Sequence, residues 1–375
     1  MTTTRCTWLV GVIAALAVAV GCSSEDAAFR RVSRSDPALG WTGDRVFVYG
    51  GAPEGEWEAR PLGDAALWDP RSEEYESMAD PPFDLPLKPG AASVAVGDAV
   101  VLLGTLCETP LVLPDNASYS CSPGSVAAAT YDTSEDSWIL HDIPAELARF
   151  TDAHVEGVGA TSDGRAVFSV TARGQRLWAV DVEGAWEALP PLPPALRRFH
   201  QPLCLAGDTV VGLAKVPDHR TLRLHLLPLV FADPSWVTTG EVAPSHVDTE
   251  PGSAQLACGD GFAVVHGYAF GSAQRHATDP AGSDGWIPLP PAPLEISQPV
   301  VVWTGATMDF LVSPYSMPTS GPGLGYDPAA DAWHEVRATP LPTTVVTVAG
   351  TPARPAVVWW PPHGGTEPVV TEIGR

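Results

Sequence analysis

Few residues in this chain have a type and spacing that announce a reaction. Four histidines, His154, His200, His266 and His363, stand on or beside short apolar runs. Imidazoles gathered around one axis can hold a metal or pass protons at neutral pH. They sit at different places in those runs, however, which argues against a single converging site, and no metal or cofactor is expected. No pair among the six cysteines has zinc-site spacing, and neither a nucleophile elbow (GxSxG) nor a phosphate-binding loop (GxxxxGK followed by Ser or Thr) occurs. Carboxylates are so many that no pair can be assigned to glycoside chemistry from spacing. Catalysis is therefore not the first expectation.

Composition sets the next bounds. The 375 residues carry 21 Lys+Arg against 44 Asp+Glu, a formal charge of −23 that lacks the basic face needed for nucleic acid or an anionic lipid surface. With 39 Pro and 35 Gly, long amphipathic helices are excluded, while 45% apolar side chains and 13 Trp are too many for a disordered acidic chain. A folded all-β body is expected.

Residues 1–21 hold one early charge, Arg5, and then an uncharged apolar run that is too short to stay in a bilayer core of roughly 20 helical residues. The run reads as a signal peptide. It ends in Ala19, Val20, Gly21 and Cys22, which resembles the lipobox of bacterial lipoproteins, with Ala19 where that family usually has a branched apolar residue. The resemblance implies that Cys22 is lipidated and becomes the mature N-terminus, that residues 22–27 are a tether, and that the protein is exposed outside the cytoplasm on a bacterial envelope membrane. Ser23 gives no retention signal, so the outer membrane is expected in a Gram-negative cell. An ordinary secretory signal is the alternative. Export favours disulfides. Cys107 and Cys121 enclose a Pro-rich stretch that reads as an irregular loop, and pairing them would staple its base. Cys204 and Cys258 occupy similar places in successive repeats; they read either as a bridge or as two buried thiols.

The repeat itself is the strongest signal. An Asp on a short apolar strand is followed by an aromatic at Tyr75, Trp138, Trp186, Trp286 and Trp333, with a degenerate copy at Trp236. The steps are about 47 to 50 residues except across the first interval, where the Cys107 to Cys121 stretch adds length. Seven hairpins precede or follow these aromatics, with second strands at 46–49, 100–103, 166–170, 209–213, 262–266, 308–312 and 356–360. Gly50 and Gly51 after RVFVY, with GYDPAADAW at 325–333 and ATYDTSEDSW at 129–138, resemble the kelch repeat of β-propellers. The resemblance covers residues 37–373. It implies an all-β fold: a seven-bladed kelch-like β-propeller over residues 28–375 in which the last blade, lacking a Trp-bearing fourth strand, is closed by an N-terminal strand at 28–33. A six-bladed ring with 343–375 as an appendage is the alternative. The repeating Asp and Trp residues are read as turn and core groups rather than as a site.

Propeller function resides in loops carried on a rigid scaffold. The long connections at 51–65, 105–126, 313–323 and 361–366 fall on one contiguous arc and place Trp57, Tyr119, Tyr315 and His363 as candidate ligand contacts. The rival reading is variable loops without selected function. Copper oxidases of the galactose oxidase type need a Tyr–Cys cross-link that is not evident here, and SEDSW at 134–138 lacks the Gly and Thr of a sialidase Asp box. The expected function is capture of an envelope protein or glycan by a monomer that a lipid anchors to the membrane. The alternative is an envelope carbohydrate-modifying enzyme resembling kelch-type sugar epimerases or mutarotases.

Overall fold

Apolar runs of four to seven residues punctuated by Gly, Asp and Pro can bury their faces only by stacking as sheets. The computed structural model is a β-propeller with 55% strand and 2% helix. It describes residues 29–53, 61–111, 120–172, 174–196, 203–215, 222–229, 234–242, 255–266, 269–270, 273–277, 287–297, 299–312, 322–336, 347–351, 354–359 and 366–372. The expected signal peptide, Cys22 and the expected tether lie outside these residues.

Among the described residues each sheet of three or more strands is an antiparallel meander in chain order. The first is Ala38–Trp41, Val46–Tyr49, Ala65–Asp69, Glu74–Glu76. The second is Ala92–Val96, Ala99–Leu111, Ser120–Asp132, Ser137–Leu140, and the third His154–Ala160, Arg165–Thr171, Gln175–Asp181, Trp186–Ala188. The fourth is Leu203–Ala206, Thr209–Lys215, Leu222–Pro228, Val237–Val242. The fifth is Gln255–Gly259, Phe262–His266, Ala273–Ala277, Ile287–Pro288, and the sixth Val300–Trp303, Met308–Leu311, Gly323–Asp327, Ala332–Val336. A three-stranded sheet, Thr347–Thr351, Arg354–Trp359, Val369–Glu372, ends the chain.

Among the described residues five blades are counted, which corrects the expectation of seven. Five sheets have four strands of at least three residues, whereas the fifth sheet in chain order ends in the two-residue strand Ile287–Pro288 and the last has three strands. Pro288 and Pro290 explain the first shortfall, because proline cannot donate to a ladder.

The expected N-terminal closing strand is also corrected. Residues 29–33 form no strand. The Arg30 N–H donates to Asp64 Oδ2 at 2.7 Å and the Val32 N–H closes onto the Arg30 carbonyl at 2.9 Å, so these donors are engaged elsewhere. The segment instead packs as a strap: the Phe29 ring lies 4.5 Å from that of Tyr75, and Phe29 packs against the same cluster of Leu39, Trp41, Val46, Val48 and Trp68 that Val370 of the last sheet covers. Arg34–Ser35 then pairs with Ala52–Pro53. The Gly pair accommodates this strap, since Gly51 has φ +85° and a Cβ there would stand 2.8 Å from the Ser35 carbonyl.

The first strands of successive sheets from the first to the sixth touch one another, and Thr347–Thr351 lies against Ala38–Trp41. Crowding near this axis selects small residues; a Cβ on Gly157 would meet Val94 Cγ2 at 2.9 Å. Farther out, the periodic indoles fill the wedges. The Trp138 and Trp333 indole N–H groups donate to the carbonyls of Ala79 and Pro290 at 2.8 Å, and Trp236 to Pro190 at 3.2 Å, each reaching the linker that follows the preceding sheet. Asp132 and Asp327 accept backbone N–H groups of their own turns, while Asp136 and Asp331, at positive φ, accept the Tyr131 and Tyr326 hydroxyls.

Candidate functional site

In the second sheet Ala92 faces Leu103, which faces Ala128, and Leu140 faces Ala129. The ladder therefore brings second-to-third-strand connections and inter-sheet linkers to one end of the propeller. That end is elaborated most at Ala99–Leu111 and Ser120–Asp132, two 13-residue strands that continue pairing from Gly104↔Ala127 to Leu111↔Ser120. Eight residues beyond Leu103 rise about 26 Å at roughly 3.3 Å per residue. Of the irregular loop expected between Cys107 and Cys121, residues 108–111 and 120 belong to this ladder and 112–119 lie outside the described residues; Thr105 pairs with Val126, and register shifts absorb Pro110 and Pro123.

The base of the hairpin is braced on both sides. From the linker, the Cys107 N–H donates to the Pro86 carbonyl at 2.9 Å, the Lys88 N–H to the Thr105 carbonyl at 2.7 Å, and the fully covered Leu87 bridges Leu106. From the third sheet, the Ala153 carbonyl accepts the Thr105 hydroxyl at 3.2 Å. Cys107 is buried and disulfide-bonded; the side chain of Cys121, its expected partner, lies outside the described residues.

Beside this base two pairs of polar side chains open to solvent. Lys88 Nζ meets Asp152, and His154 Nε2 lies 3.0 Å from Glu156 Oε1, with both side chains about half exposed. His154 begins the innermost strand of its sheet. His266, by contrast, is buried in the fifth sheet against Phe310, so the structure does not bring these two imidazoles together. His200 lies outside the described residues. Among the described residues no three His, Cys, Asp or Glu side chains form a group that could hold a metal ion.

The four expected contact residues, Trp57, Tyr119, Tyr315 and His363, lie in segments outside the described residues. The strands flanking those segments end at the same end of the propeller as the hairpin. Cys204 and Cys258 are bonded, with Cα atoms 5.8 Å apart, and join the first strands of the fourth and fifth sheets.

Sequence reasoning missed the buried polar groups. Arg34 sits at 1% exposure with its guanidinium on both oxygens of Asp64 at 2.8 Å. Burial lowers the pKa values of His141 and His225, which contact the Thr130 and Thr238 hydroxyls at 2.8 and 3.1 Å. Burial also raises the Asp309 carboxyl, against the Thr307 hydroxyl and the nearby His334. Only a polar residue in an apolar run marks such positions beforehand, and that signal is shared by many solvated ones.

No protein-family model matches the chain. No curated protein matches it either. A solved structure titled "Structure of YjhT", a propeller-like protein, aligns at a TM-score of 0.43 and 10% identity, over 82% of this chain and 96% of that chain.

Proposed function

We propose that this chain is a binding module of a bacterial cell envelope. In this reading it is a kelch-type ring, the strap at residues 29–35 sealing the last sheet against the first. A lipid on Cys22 holds it to the membrane, and it captures an envelope protein or glycan with the end that carries the long hairpin and the Trp57, Tyr119, Tyr315 and His363 loops. The observation that carries the reading is the hairpin itself. Its strands outrun their sheet and are hydrogen-bonded at the base to the linker and the neighbouring sheet. A braced projection presents a fixed surface and loses little conformational entropy on binding.

The test is to screen residues 23–375 against glycan arrays and cross-linked envelope extracts, beside a variant in which 107–121 is replaced by a two-residue Asn-Gly turn. Saturable binding by the wild type that the shortened variant loses while keeping its melting temperature supports the reading. Equal binding by both, or no saturable ligand, overturns it. For the anchor, an alkyne fatty acid should label the wild type in cells and leave Cys22→Ser unlabelled.

One observation favours a second reading, an envelope carbohydrate-modifying enzyme such as an epimerase or mutarotase. His154 and Glu156 pair in the open beside the ring axis, an arrangement suited to proton transfer. Anomer exchange of reducing sugars, followed by NMR and lost in His154→Gln, would establish it; no acceleration over buffer removes it.

A further inference from the structure

Trp138, Trp236 and Trp333 each donate to the fourth residue after the outer aromatic of the preceding sheet, namely Ala79, Pro190 and Pro290. Trp186 breaks the rule. Asp142 stands at the matching place after Trp138, yet the Trp186 indole N–H has no hydrogen-bond partner. Two residues before Trp138 and Trp333, Asp136 and Asp331 accept tyrosine hydroxyls, and Asp136 also accepts the Ala79 N–H at 2.7 Å. In the third sheet Gly184 replaces that Asp and Val180 that Tyr. The polar clamp is therefore missing where the second sheet meets the third.

His141 occupies its place. Three residues after the outer aromatic, other linkers put Met78, Leu189 and Leu289 into apolar clusters, whereas this one puts an imidazole that is 5% exposed. Nε2 shares a hydrogen bond with the Thr130 hydroxyl at 2.8 Å, and the ring stands near-perpendicular to that of Trp186 with centroids 5.9 Å apart. A Cβ on Gly184 would come within 3.0 Å of Cδ2, and Nδ1 has no partner. The fit is close on every side.

The charged groups on the surrounding elements are Asp132 beyond Thr130, Asp181 and Glu183 in the third-sheet turn, and Asp142 next along the linker. Asp132 is engaged by Ser134 and Asp181 by the N–H groups of Glu183 and Ala185, while Glu183 and Asp142 are exposed. Arg176 and Glu146 face each other farther along, and Arg165 pairs with Glu187. None of these groups is hydrogen-bonded to the imidazole. Burial lowers the His141 pKa, against the weaker pull of the Asp181 charge. The neutral ring is the one that fits.

The same linker reaches the hairpin. From His141 it runs through Ala145–Ala148, where Leu147 joins one buried cluster with Val126 and Ala153. It ends at Asp152 and Ala153, which hold Lys88 and the Thr105 hydroxyl at the hairpin base.

We propose that His141 makes the joint between the second and third sheets an acid-operated latch: neutral, it seats the linker that braces the hairpin; protonated, it unseats both. Its contribution is full above the ordinary imidazole value and is lost as pH falls toward the folded one. The consequence for ligand capture, release in acid, rests on the reading of the hairpin end as the binding surface.

The test is amide exchange at His141, Leu147 and Cys107, divided by the intrinsic rate, beside a 15N titration of the His141 ring. Exchange should speed up about threefold or more from about pH 7.5 to about pH 5, with the midpoint of that titration. His141→Leu, which installs a residue type of the other linkers, and His141→Gln should both abolish the response. His225→Gln, which removes another buried imidazole, should keep it. A flat wild type, a response that survives either His141 variant, or one lost with His225→Gln overturns the inference. So does an equal rise across the first sheet, which is global unfolding. No ligand enters these measurements, so failure to find one would sink the binding reading and leave the latch standing.

Discussion

The Arg34 guanidinium donates to Asp64, to the Gly50 carbonyl at 2.8 Å and to the Arg30 carbonyl at 2.6 Å, and stacks 4.1 Å over Phe29. Its side chain has no exposure, so removing the partner charge leaves a cation stranded in the interior. Asp64→Asn should cost about 3–5 kcal/mol in denaturant unfolding, far more than an exposed pair such as Arg45–Glu76, whose loss should be worth at most about 1 kcal/mol. Asp309 is the opposite case. Burial raises its pKa, so the stability linked to it is present below the ordinary Asp value and is lost as pH rises through the folded value. Asp309→Asn keeps an acceptor for the Thr307 hydroxyl and removes that loss. Melting curves should show the variant gaining on the wild type as pH rises from 4 to 7. None of this was legible beforehand, since neither Asp64 nor Asp309 differs in sequence context from the turn aspartates that the repeat did reveal.

Elements are where the sequence was most readable, because alternation and turn residues act within a few positions of each other. The aromatics and Asp residues at Tyr131 to Trp138 and Tyr326 to Trp333 mark third and fourth strands, and the structure puts strands there. The stretch after Cys107 reads as a loop, but its pairing depends on the brace from Pro86, Leu87 and Ala153, which are distant in sequence or belong to another sheet. The Cys204–Cys258 bond ties two sheets across 54 residues. Replacing both cysteines by Ser should cost about 2–4 kcal/mol, read as a lower denaturant midpoint. Hydrogen exchange should then rise in the first strands of the fourth and fifth sheets before it rises in the second.

For the whole molecule the question is how the last sheet meets the first. The strap spans that seam: Phe29 lies against Tyr75 and, with Val370, covers the core of the first sheet, and the Tyr75 hydroxyl donates to the Thr366 carbonyl at 2.8 Å. A chain beginning at Pro37 should therefore lose exchange protection first at Glu74–Glu76 and Val369–Glu372, while the third sheet stays protected. Uniform loss or no change would place the seal elsewhere. Taken alone, the amino-acid sequence determined the all-β class, the repeat length, the turn chemistry and the hairpins, since each depends on neighbours close along the chain. Only the tertiary structure decided that residues 29–33 pack as a strap rather than a strand, and which charges are buried. Those outcomes depend on contacts between segments tens to hundreds of residues apart, and no local pattern encodes such meetings.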